Sequence, residues 1–273
     1  MKNLSIGMFD SGVGGLTVLK EVKAILPKEN ILYLGDTARV PYGNRSPQTI
    51  IRYATECALF LLTKGIKLLI IACNTSSAIA LKVLSKKLPI PVLGVIEPAA
   101  KTAVMTTKTK KIGIIGTKAT IKSMAYEKSI KEIDAEIDVI SKPCPLFVPI
   151  VEEGLEKDEV ALIMAEKYLN GFRASGIDTL IMGCTHYPVL EDVIKKAVGG
   201  HINVINTGKE TAKEVEMCLR EKDLLKTKGT GACKYYVTDG PDAFKEIGGR
   251  FLGYNISPVK YIKSLDYKDF ILY

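Results

Sequence analysis

The chain predicts an α/β fold built as two pseudo-symmetric parallel-sheet domains with an active-site cleft between them. Three observations carry this. Short apolar runs of strand length alternate with longer amphipathic segments, as they do where parallel sheets are covered by helices on both faces. Two cysteines stand in matching frames, Ile71-Ala72-Cys73-Asn74-Thr75 and Met182-Gly183-Cys184-Thr185-His186, each directly after an apolar run and before helix-compatible sequence. A strand beginning near Lys111 reaches Gly116-Thr117 much as the first strand reaches Asp10-Ser11-Gly12.

The strand runs, in order, are Leu4 to Phe9, Ile31 to Leu34, Leu68 to Ala72, Val92 to Ile96, Ile112 to Ile115, Leu180 to Met182 and Val204 to Ile205. Between the second and third, Ser46-Pro47 supplies a cap and a first-turn proline. Ile50, Ala54, Cys57 and Leu61 then recur at helical spacing until Lys64-Gly65 ends the helix. Breaks are expected at Glu97-Pro98, where a strand ends and proline opens a helix, and near Asn206-Thr207-Gly208, where a strand runs into Thr211-Ala212-Lys213. They give a discontinuous first domain of residues 1–97 plus 208–273 and a second of residues 98–207. The connector Lys222 to Lys228 reads as an exposed loop.

With 273 residues, 47% hydrophobic and 25% charged, the chain can bury a sizeable core. Its apolar stretches fall far short of the ~18 to 20 residues of a membrane span, and Met1-Lys2-Asn3 leads into a strand pattern, not a signal-peptide core. A soluble, cytoplasmic protein is expected. Six cysteines with no Cys-x-x-Cys pair disfavour a disulfide scaffold or zinc knuckle. The net charge of +8 is spread along helix-like stretches without interleaved aromatics, which reads as a solvated basic surface in place of a nucleic-acid site.

The chemistry concentrates at strand ends. Phe9-Asp10-Ser11-Gly12-Val13-Gly14-Gly15 lies where open α/β sheets bind ligands, and its amides could hold an anion. A dinucleotide fingerprint would need glycine at the position of Thr17, and no GxxxxGK[ST] is present, so neither a nicotinamide cofactor nor a nucleotide is indicated. Cys73 and Cys184 each precede a potential helix start that could stabilise a thiolate, with Asn74, Thr75 and Thr185 as nearby donors. A free thiol titrates near ~8.5, so modest tuning could poise one as thiolate and the other as thiol. Moving a proton from one face of a carbon to the other needs two such groups. His186 could assist a thiol, bind substrate or ligate a metal, although a zinc site would lack a fourth ligand. Cys57, Cys144, Cys218 and Cys233 read as packing, and His201 as a surface histidine. Asp36-Thr37-Ala38-Arg39-Val40-Pro41-Tyr42-Gly43 gathers an acid, a base, a phenol and a glycine turn into one loop.

Together, the segments Phe9 to Leu16, Asp36 to Gly43, Ala72 to Ala78, Gly94 to Ala99 and Gly183 to Pro188 resemble the glutamate racemase family, in order along nearly the whole chain. Phe244 with Phe251-Leu252-Gly253 resembles that family's carboxyl-terminal segment. The resemblance implies a cofactor-independent, metal-free isomerase that interconverts L- and D-glutamate for bacterial peptidoglycan, working as a homodimer. It assigns Cys73 and Cys184 as the acid/base thiols, assisted by Asp10 and His186 respectively. Ser11, Tyr42, Gly43, Asn74, Thr75 and Thr185, with Asp10 and His186, would hold the substrate. Glu152 lies in a family-like stretch but is left outside the catalytic set. Asn206-Thr207-Gly208 departs from the family's frequent Asp-Ser-Gly, and Asp239-Gly240 stands where Gly-Asp is common. The competing readings are a racemase for another acidic amino acid such as aspartate, and a regulatory protein that binds DNA gyrase on the same scaffold.

Overall fold

The structure, a computed structural model, describes residues 1–263 and 265. Its first sheet begins with β1 (Ser5–Asp10), α1 (Leu16–Ile25), β2 (Ile31–Gly35), α2 (Pro47–Thr63), β3 (Ile66–Ile71), α3 (Asn74–Lys87) and β4 (Val92–Gly94). After α4 (Ile96–Thr106), the second sheet is built by β5 (Lys111–Gly116), α5 (Lys118–Ser123), α6 (Ala125–Ile133), β6 (Asp138–Pro143), α7 (Phe147–Glu152), α8 (Glu159–Arg173), β7 (Thr179–Gly183), α9 (Glu191–Val198) and β8 (Asn203–Asn206). The chain closes with α10 (Thr207–Glu221), β9 (Cys233–Val237), α11 (Pro241–Leu252) and β10 (Val259–Tyr261).

The first sheet runs β10-β9-β2-β1-β3-β4 and the second β6-β5-β7-β8, with every pair parallel. Within each, the leading strand is flanked by the second and third, and the fourth lies beyond the third. Strand β3 is thus the counterpart of β7, and the turns carrying Cys73 and Cys184 leave equivalent carboxyl ends. In the first sheet the connection from β1 leads one way to β2 and that from β3 the other way to β4, and β5 and β7 diverge in the same manner, which marks the crevice where open parallel sheets bind ligands. Covered on both faces, β1, β3 and β7 are buried almost throughout and are mostly apolar.

Helix α2 follows its sequence signals closely: Ser46 Oγ accepts from Thr49 N at 3.3 Å, and Gly65 leaves the helix at φ +74°. Strands β6, β9 and β10 are absent from the runs expected above. An edge strand such as β6, half-exposed or exposed along its length, needs no apolar run. Helix α4 starts at Ile96, so the strand before it stops at Gly94 and Pro98 sits in the first turn, where a missing N–H costs nothing. Asn206 caps α10, its Oδ1 accepting from Gly208 N at 2.9 Å, so the departure from aspartate keeps the capping geometry.

Lys67 lies inside β3, and its ammonium is fully partnered. It donates to Glu29 Oε2 at 2.6 Å, Lys2 O at 2.8 Å and Leu224 O at 2.9 Å, while Glu29 Oε1 accepts from Lys226 N. The connector expected as wholly exposed therefore buries Leu224 and locks onto the amino end of the sheet. Replacing Glu29 by alanine strands the buried ammonium. Urea denaturation is expected to show a loss of about 3 kcal/mol, and a loss below about 1 kcal/mol would contradict the clamp.

Candidate active site

Cys73 and Cys184 line one cavity of about 300 Å³ at the carboxyl ends of the two sheets. They are only 6% and 5% exposed, so both thiols are buried in the cavity wall. Cys73 occupies the N-cap position of α3 with extended backbone, so the α3 amino terminus points its free N–H groups toward the cavity.

On the first side, Cys73 Sγ donates to Ser11 Oγ at 3.6 Å. Burial and the nearby Asp10 carboxylate push this thiol up to about 11, and hydrogen bonds from Ser76 and Ser11 only partly offset them. Asp10 is completely buried, which raises its own pKa. Its Oδ1 accepts from Gly12 N at 2.9 Å and its Oδ2 from Thr185 Oγ1 at 3.5 Å.

On the second side, Cys184 Sγ lies 3.8 Å from His186 Nδ1, and His186 Nε2 lies 2.9 Å from Glu152 Oε1. Burial alone would strip the imidazole of its charge. The hydrogen bonds to Cys184 and Glu152 outweigh it and raise His186 to about 10. Glu152, set aside in the sequence, is thus the third member of a Cys184–His186–Glu152 chain. Its only sequence signal was its family-like stretch, since one acid near a helix end does not reveal its partner. The tail backs this chain. Phe251 packs edge-on against the His186 ring, centroids 6.0 Å apart, and Arg250 donates to the carbonyls of Val151 and Glu152 at the end of α7.

Each thiol turn is also bonded to the opposite half. Thr185 O accepts from Thr17 Oγ1 at 2.7 Å. Across the cavity, Thr75 Oγ1 lies 3.0 Å from Thr117 Oγ1 and 3.1 Å from Thr120 Oγ1, and those two hydroxyls are 3.0 Å apart. Asn74 Oδ1 accepts from Tyr126. Thr117 entered the sequence reading only as the end of a strand, and Thr120 and Tyr126 carry no motif that it singled out.

The Tyr42–Gly43 segment forms a 3-10 turn, Tyr42–Asn44. The Tyr42 hydroxyl turns inward and donates to Asp36, which also accepts from Arg39 Nε at 2.7 Å and Thr238 Oγ1 at 3.0 Å. The phenol is therefore spent on the scaffold, and the turn offers the cavity its leading backbone N–H groups. Gly43 permits this approach, since a Cβ there would lie 3.2 Å from Thr117 Cβ. The other cysteines stay in packing positions: Cys57, Cys144 and Cys218 are buried, Cys233 is half-buried, and His201 is exposed. Among the described residues no three His, Cys, Asp or Glu side chains converge as a metal site.

Two measurements check this geometry. A Cβ at Gly14 would fall against Thr185 Oγ1 and 2.6 Å from His186 Cε1. Gly14→Ala should lower kcat/KM at least about 100-fold, as displacements of this order do; near-normal turnover would refute the close approach. The raised pKa means that His186 keeps its proton through neutral pH and releases it only as pH rises through about 10. Nitrogen-15 NMR should show this, with a lower titration in Glu152→Gln. A midpoint near the ordinary 6.5 would contradict the pairing.

Comparison with known proteins matches residues 13–215 to the Asp/Glu/Hydantoin racemase family. The glutamate racemase of Geobacter metallireducens is 50% identical over 256 residues, covering 93% of this chain and 95% of that protein. Among solved structures, the glutamate racemase of Bacillus anthracis superposes with a TM-score of 0.94 at 41% identity, covering 96% of this chain and 98% of that one. The Francisella tularensis glutamate racemase, solved in complex with D-glutamate, gives 0.91 at 38% identity, covering 97% and 99%. Matched sheets, paired thiols and these relatives agree: the chain belongs to the glutamate racemases of the Asp/Glu/Hydantoin racemase family.

Proposed function

We propose that Cys73 and Cys184 transfer the α-proton of glutamate between opposite faces of the α-carbon, making the protein a glutamate racemase of the isomerase class. The observation that carries this is a pair of buried thiols at equivalent strand ends in one cavity.

The α-proton of an amino acid is weakly acidic, so the site must stabilise the carbanion as the proton leaves. One thiolate takes the α-proton and becomes a thiol while the opposite thiol delivers its proton to the other face and becomes a thiolate. Atoms and charge balance without a further reactant. Cys73, held as a thiol by burial and Asp10, is poised to donate. At Cys184, a protonated His186 backed by Glu152 meets the negative charge that forms on the sulfur when that residue has given up its proton. The amides of the Tyr42–Gly43 turn and of the α3 amino terminus suit the two carboxylates, with Ser11, Asn74, Thr75 and Thr185 as further donors. Donors aimed at developing charge from fixed, buried positions are each worth about 100- to 1000-fold in turnover.

The likeness to glutamate racemases over more than nine-tenths of the chain favours glutamate over aspartate. No observation favours a gyrase-binding role, and the paired thiols, buried and partnered, favour turnover. The D-glutamate formed would serve peptidoglycan synthesis. Among the described residues, no helix is long and apolar enough to cross a membrane.

Cys73→Ala or Cys184→Ala should lower racemisation, followed by circular dichroism of L-glutamate, by at least about 100-fold, whereas Cys218→Ala keeps most activity. A fully active Cys184→Ala enzyme would exclude the two-thiol mechanism. In deuterated water, D-glutamate formed from L-glutamate should carry solvent deuterium at the α-carbon, while recovered L-glutamate stays protiated at early times. Early deuteration of unreacted L-glutamate would mean a single exchanging base.

A further inference from the structure

One buried polar side chain outside the residues assigned above touches both thiol turns. Tyr126, on α6, is 2% exposed. Its ring lies against Gly183, the residue before Cys184, where a Cβ would sit 3.0 Å from Tyr126 Cε2. Its hydroxyl donates to Oδ1 of Asn74, the residue after Cys73, at 2.5 Å. Asn74 lines the cavity and is itself 2% exposed, and its Nδ2 is buried with no hydrogen-bond partner among the described residues. A buried amide nitrogen left unpaired is costly, and its natural partner in this cavity is an anionic oxygen of the substrate.

We infer that Tyr126 is a positioning residue for the racemisation, orienting the Asn74 amide so that Nδ2 faces a substrate carboxylate. The inference deepens the racemase reading above and rests on it. The hydrogen-bond inventory selects this orientation. In the flipped amide, Nδ2 would donate to the phenol oxygen, the phenol hydrogen would lose its acceptor in a fully buried place, and Oδ1 would face the carboxylate. Both consequences oppose the flip. Because the ring that carries the hydroxyl packs on Gly183, the spacing between Asn74 and the Cys184 turn is set by one rigid side chain. Asn74 belongs to the first sheet's turn and Gly183 to the second sheet, so Tyr126 links the two halves at the level of the reacting atoms.

The test is a double-mutant cycle of Tyr126→Phe and Asn74→Ala, with kcat and KM measured in both directions below the unfolding transition of every variant. Phenylalanine keeps the ring on Gly183 and removes only the hydroxyl. Tyr126→Phe alone should lower kcat/KM roughly 10-fold, which corresponds to about 1.4 kcal/mol, while in the Asn74→Ala background it should cost less than about 2-fold. Unchanged kinetics for Tyr126→Phe, or the same 10-fold loss in both backgrounds, would overturn the role assigned to Tyr126. Wild-type protein that fails to racemise glutamate would instead overturn the racemase reading, so the two failures are distinguishable.

Discussion

Two thiols can pass a proton through a carbon only if their strand ends are held about one substrate apart, and hydrogen bonds that cross the cleft hold them there. Neither thiol turn is secured by its own half alone. The turn after Cys184 is bonded through Thr185 to Thr17 and Asp10 of the first half. The residues after Cys73 are bonded to Thr117, Thr120 and Tyr126 of the second. The absence of a side chain at Gly14 follows from that closeness, since a Cβ there would meet Thr185 and His186 of the other half.

The same closeness sets the electrostatics. Burial raises the cost of every charge on the side chains that line the cavity, so charge persists there only where a partner compensates. Cys73 lies near a buried carboxylate and is kept a thiol, while His186 lies between the Cys184 sulfur and the Glu152 carboxylate and is kept protonated. The site is therefore symmetric in its backbone and asymmetric in its protons. A racemase needs that asymmetry, since at each moment one thiol must hold a proton and the other accept one.

The carboxyl-terminal tail has a share in the site although it carries neither of the paired thiols. Strands β9 and β10 extend the first sheet, and Thr238, just beyond β9, bonds the Asp36 carboxylate that anchors Tyr42. At the end of α11, Arg250 and Phe251 brace Glu152 and His186. Substitutions far along the chain thus reach both walls of the cavity.

Much of the fold was legible in the sequence because it depends on local pattern. Fully buried parallel strands are apolar except where a polar side chain is fully partnered, as Lys67 is, so β1, β3, β5 and β7 could be read directly, and Ser46-Pro47 with its helical repeat marked α2. The repeated cysteine frame located both thiols, and its family resemblance named the chemistry. Tertiary structure alone decided which side chains meet. It paired Glu152 with His186, turned the Tyr42 hydroxyl inward to Asp36, closed the hydroxyl triangle of Thr75, Thr117 and Thr120, and placed Tyr126 between the thiol turns. A strand or helix is dictated by spacings of two to four residues, whereas these contacts, apart from the local ones at Tyr42 and between Thr117 and Thr120, join positions tens of residues apart, and a hydrogen bond between such groups exists only once the packing of both sheets has brought donor and acceptor within about 3 Å.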